Sequence, residues 1–140
     1  MKETILLYNL NNAGIRSNIK FISIKLGIHI KTVEPSEYKM PLGFLAFGTK
    51  EQQAQYLTDD GTPAFDESML VFAGFTNRKL DQFLQLMKKH RVPRIPLKAI
   101  MTEHNATWDS VMLHDELAKE DAYMTQQAKG TAQAEETSEA

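Results

Sequence analysis

Two apolar runs constrain this chain more than any other feature: Ile5-Leu6-Leu7-Tyr8-Asn9-Leu10, closed by Asn11-Asn12, and Met69 to Phe75. Each is too short for a buried helix and carries no charge, which is how a strand covered on both faces reads. A sheet with two such strands at its centre needs helices on both sides, and a chain of 140 residues holds enough of them for one domain.

The segments after each run supply those helices. From Asn12 to Leu26, Ile15, Ile19, Ile22 and Leu26 recur at helical spacing with Arg16, Lys20 and Lys25 between them, and Gly27 suits the C-terminal turn. Thr76 or Asn77 can N-cap a second helix in which Leu80, Phe83, Leu84 and Met87 form one stripe. Ile28 to Val33 alternates apolar and polar residues before Pro35, as a half-exposed or edge strand does. Ile95 to Met101 reads as a fourth strand, placed at an edge because Pro96 lacks a ladder donor. A last helix is predicted from about Thr107 toward Tyr123, using Trp108, Val111, Met112 and Leu117.

Each half is therefore strand, helix, strand. A shift of 64 positions lays Ile5 to Tyr8 on Met69 to Phe72, and Ile19, Ile22 and Lys25 on Phe83, Leu86 and Lys89. Right-handed crossovers then predict an α/β fold: a small, mainly parallel four-stranded sheet in the order 2-1-3-4 with helices on both faces. If residues 36–68 only reverse the chain, the alternative is a ferredoxin-like α+β sheet. Within that segment Pro41 to Gly48 is an apolar patch, Lys50 to Leu57 a short helix and Asp59-Asp60-Gly61-Thr62-Pro63 a turn. The domain is expected over residues 1–128, with residues 129–140 a disordered acidic tail.

Composition removes whole classes of chemistry. With no cysteine there is no disulfide, thiolate nucleophile, iron-sulfur cluster or cysteine-based zinc site, a pattern that fits the reducing cytoplasm. The start of the chain has too short an apolar run for an export signal or a membrane span. His29, His90, His104 and His114 show no metal spacing, so no metal or other cofactor is expected. His114 stands beside Asp115 and Glu116, but adjacent helix residues diverge and are not expected to form a dyad. No Gly-x-Ser-x-Gly elbow is present. Gly43 to Lys50 has the glycine spacing of a phosphate loop but puts Thr49 before Lys50 around an apolar interior; it reads as packing, a hydrophobic lid or a homodimer contact.

Charge is segregated. Residues 78–98 hold seven cations against Asp81, a net +6, while residues 99–123 hold six acids against Lys119, a net −5. Such neighbouring blocks are expected to be solvated helix faces that attract each other, which argues against nucleic acid as the partner.

In an open parallel sheet ligands bind beyond the strand carboxyl ends, where helix N-termini favour a phosphate or carboxylate. The candidate ligand residues are Asn9, Asn11, Thr76, Asn77, Lys98, Thr102 and Asn105, and helix capping is the competing role for Thr76, Asn77 and Asn105.

The stretch Leu70-Val71-Phe72-Ala73-Gly74-Phe75-Thr76, then Arg94-Ile95-Pro96-Leu97-Lys98-Ala99-Ile100-Met101-Thr102, Asn105 and Trp108, resembles a family of small uncharacterised bacterial proteins, domain of unknown function 3783. Pro41-Leu42-Gly43 and Ile5-Leu6-Leu7-Tyr8-Asn9 look similar to the same family, so the likeness spans most of residues 4–120. The resemblance implies no activity; its polar positions correspond to Lys98, Thr102 and Asn105. The expectation is a non-catalytic binding or regulatory module for a small anionic ligand or a protein partner. The alternatives are an enzyme using Lys98, Thr102 and Asn105, or a weak RNA-binding domain through residues 78–98.

Overall fold

A computed structural model describes residues 2–58, 61 and 64–121. The expected domain limit at 128 and the tail at 129–140 lie outside these residues, as do Asp59, Asp60, Thr62 and Pro63 of the expected turn. The chain forms β1 (Thr4–Tyr8), α1 (Ala13–Leu26), β2 (His29–Thr32), a 3-10 turn at Pro35–Glu37, α2 (Leu42–Phe47), α3 (Lys50–Ala54), β3 (Met69–Ala73), α4 (Asn77–Lys89) and β4 (Leu97–Ile100). A final helix, α5, covers residues 110–121.

The four strands pair in the order 2-1-3-4, as the sequence predicts. β1 runs parallel to β2 and β3 parallel to β4, but the central pair is antiparallel, with Leu6 opposite Val71. The sheet is therefore mixed. The physical reason lies in residues 33–68, which leave the end of β2 and return to the start of β3 at the same end of the sheet. The Thr58 amide donates to the Ser36 carbonyl at 3.0 Å, closing an out-and-back excursion that contains α2 and α3. A parallel crossover would have to deliver the chain to the opposite end.

Helices cover both faces. Ile5, Leu7, Leu70 and Phe72 pack against Ile19 and Ile22 of α1 and Phe83 and Met87 of α4. Leu6, Tyr8, Met69 and Val71 pack on the other side against Leu42 and Leu45 of α2 and Leu113 of α5. Burial of both faces of β1 and β3 is the main stabilising term, about 25 cal/mol per Å² of apolar surface.

The two strand-helix-strand units repeat in detail. Asn12 accepts from the Ile15 amide and Thr76 from the Lys79 amide, so each helix is N-capped. Each ends on a left-handed residue, Gly27 at φ 71° and Arg91 at φ 56°. The next amides, of Ile28 and Val92, reach back to the Ser23 and Met87 carbonyls at 2.8 and 2.9 Å. The helices thus match at the expected shift of 64. The strands do not: Ile5 shares its face with Leu70, and the left-handed Asn9 corresponds to Gly74, a shift of 65. A shift of 64 would turn every strand side chain to the wrong face.

Among the described residues no helix is long and apolar enough to cross a membrane.

Candidate functional site

Because β1 and β3 are antiparallel, their carboxyl ends lie at opposite ends of the sheet. The structure therefore divides the residues expected to share one rim. Asn9 and Asn11 sit at the end shared by β1 and β2, where they line a small notch of about 240 Å³. Thr76, Asn77, Thr102 and Asn105 lie at the other end, beyond β3 and β4. Lys98 belongs to neither. It lies on β4 beside Phe72, Leu80 and Leu84, and its Nζ donates to the Ile95 carbonyl at 2.9 Å. Burial lowers its pKa, with Arg94 adding to the effect.

Most of these side chains have local work. Thr76 caps α4, which begins at Asn77. Thr102 and Asn105 close on each other: the Thr102 amide donates to Asn105 Oδ1 at 2.7 Å, and the Asn105 amide to Thr102 Oγ1 at 3.2 Å. Asn105 Nδ2 also donates to the Ile100 carbonyl at 3.1 Å. Lys98, Thr102 and Asn105 are not assembled into one constellation. Asn9, left-handed at φ 56°, donates from Nδ2 to the Phe65 and Glu67 carbonyls at 2.9 and 3.2 Å and accepts from Tyr38 at 3.4 Å.

The Asn9 end is packed with aromatic rings, flanked by the 240 Å³ notch and by a cavity of about 450 Å³ lined by Ile15, Glu67, Ser68, Arg94 and Asp121. Tyr8, Tyr38 and Phe65 contact one another, and Phe65 stacks on the His114 ring at 4.0 Å. Tyr8 Oη shares a buried 2.7 Å hydrogen bond with Ser110 Oγ. Burial raises the pKa of both Tyr8 and Tyr38. His114 Nε2 meets Glu67 at 2.7 Å, and this bond holds the Glu67 carboxyl below its ordinary range. His114 Nδ1 meets Asp115 at 3.2 Å, so the adjacent residue does reach the ring, contrary to the expectation from helix geometry. Nothing in the sequence marks this cluster, because Glu67 and His114 are 47 residues apart and meet only through the fold.

The opposite end is open. There α2, α3 and the loop at 101–107 enclose a groove of about 820 Å³, walled by Phe44, Phe47, Tyr56 and Met101, with Gln52, Glu103 and Thr107 as polar groups. The α2 amides of Leu42 and Gly43 donate to the Trp108 and Ala106 carbonyls at 2.9 Å, which fixes one wall to the other. Its floor includes Gly74, at φ 76°, where a Cβ would stand 3.2 Å from the Phe47 ring. Of the expected site residues, Thr102 lines this groove. The apolar patch at 41–48 is the sequence signal for one wall, and Thr102, a candidate ligand residue, for the other. Among the described residues no group of three His, Asp or Glu side chains is placed to hold a metal ion.

Comparison with curated proteins and with solved structures finds no match. Residues 68–124, the second strand-helix-strand unit with the helix that follows, match the model of a family described as Domain of unknown function (DUF3783).

Proposed function

We propose that the protein is a non-catalytic binding module of the cytoplasm whose groove receives an apolar group of about aromatic size. The observation that carries this reading is the aromatic-walled groove over Gly74, of a volume and character usual for small-ligand sites: mostly apolar, with a few convergent polar groups. Glu103 at its margin and a lining without lysine or arginine favour a neutral or cationic ligand over the anionic one expected from the strand ends. The cysteine-free composition supports the compartment.

Binding of the neutral fluorophore N-phenyl-1-naphthylamine tests this. Tyr56, half-exposed and packed on Phe44, can be replaced without opening the core. Tyr56→Ala is expected to weaken binding about tenfold, the loss of one aromatic contact, with the unfolding midpoint nearly unchanged. Equal affinity in both proteins would refute the groove as the binding site.

A further inference from the structure

Among the described residues the two charged blocks form no ion pair with each other, and they approach where Arg94 and Asp121 line one cavity of about 450 Å³. α1 and α4 lie on one face of the sheet, and α5 on the other. The ion pairs among the described residues are Lys31 with Glu37, His114 with Glu67 and Asp115, and Lys119 with Glu116. No cation of α1 or α4 has a carboxylate partner among them. Apart from that approach, the sheet separates the cations of α1 and α4 from the acids of α5.

Each face also exposes apolar surface where its charge is concentrated. On α1, Phe21 is 53% and Ile24 76% exposed. Phe21 lies edge-on to His90 at 5.3 Å, which places this apolar pair beside the basic end of α4. Lys20, Lys25, Lys88, Lys89 and Arg91 are exposed around it. On α5, Met112 is 47% exposed and shares the solvent side with Asp115, Glu120 and Lys119, the last paired with Glu116, so the helix surface stays net acidic. An exposed apolar patch bordered by an excess of one charge marks an interaction surface, and its complement is an apolar group bordered by an excess of the opposite charge.

We propose that the basic α1–α4 face of one copy docks on the acidic α5 face of a second copy. Since the two patches differ and lie on opposite faces, the contact is heterologous: every copy keeps one face free, and association adds copies head to tail without closing a symmetric dimer. The pairing is electrostatically steered and weakens as salt screens it. The surface is separate from the groove, so failure of one reading leaves the other intact.

Sedimentation analysis of nuclease-treated full-length protein tests the proposal with two charge-reversed variants, Lys88→Glu/Lys89→Glu and Asp115→Lys/Glu120→Lys. All four positions are exposed, so both variants are expected to fold, with circular dichroism as the check. The unaltered protein should form oligomers that grow with concentration, and raising salt from about 0.05 M to about 0.5 M should lower the association constant about tenfold or more. Each variant alone should remain monomeric. An equimolar mixture should associate again, because the intact basic face of one variant meets the intact acidic face of the other. A monomer at every concentration, association that survives high salt, association lost on nuclease treatment, or a mixture that stays monomeric would each overturn it.

Discussion

The two strand-helix-strand units share their backbone devices and differ in what they do with the space beyond the central strand. β1 and β3 each end on a left-handed residue and lead into a capped helix that stops on another left-handed residue. After β1 that first residue is Asn9, whose side chain ties Phe65, Glu67 and Tyr38 into a plug with Tyr8 and His114. After β3 it is Gly74, which has no side chain, and Phe47 passes close over it to form the floor of a groove. One backbone conformation is thus used once beside a packed cluster of rings and once beneath an open groove. The difference of a side chain at equivalent positions separates the ring-packed end from the end that carries the groove.

Substitutions at these equivalent positions break the comparison in graded steps. Asn9→Ala should cost most, about 2–3 kcal/mol in denaturant unfolding, because it combines a strained positive φ with loss of the bonds to two carbonyls. Asn9→Gly keeps the backbone relaxed and should recover roughly half of that loss. Gly74→Ala should cost about 1–2 kcal/mol, from strain at φ 76° and a Cβ pressed against Phe47, and should also weaken naphthylamine binding. Asn9→Ala should leave that binding unchanged once the protein is folded.

The helix ends give a smaller test. Gly27 and Arg91 occupy the same left-handed position, but only one is glycine, so Arg91→Gly should stabilise the protein by about 0.5–1 kcal/mol. The smallest effect belongs to the plug. The Glu67 carboxyl is lowered from its ordinary 4.5 by its bond to His114, so its contribution is fully present above pH 4.5 and lost as pH falls through the lowered value. Glu67 is exposed, which limits the gain to under about 0.5 kcal/mol. Glu67→Gln should remove this part of the acid dependence when stability is followed from pH 7 downward.

Much of the framework was legible in the sequence for physical reasons. The continuous apolar runs marked β1 and β3 because both of their faces are buried, and Pro96 marked β4 as an edge strand. Gly27 and Thr76 announced a helix end and a helix start. The central pairing was not legible, since burial on both faces is the same for parallel and antiparallel neighbours. Its sense is decided by the Ser36–Thr58 closure, which has no local pattern. Two of the three pairings are parallel, as expected, and the sense of the central pair alone divides the candidate site, because grouping by strand end requires β1 and β3 to point the same way. Thr76 and Thr102 stayed together, while Asn9 and Asn11 went to the other end. The charge blocks were legible as well, but not their placement on opposite faces of the sheet.

In the proposed function the groove over Gly74 receives ligand and the ring-packed Asn9 end does not. Amide chemical shifts recorded during titration with N-phenyl-1-naphthylamine test it most directly. The account predicts shifts at residues 43–48, 52–56, 74 and 101–107, and none at 8–11, 65–68 or 110–114. Shifts centred on Asn9, Phe65 and His114 would contradict it.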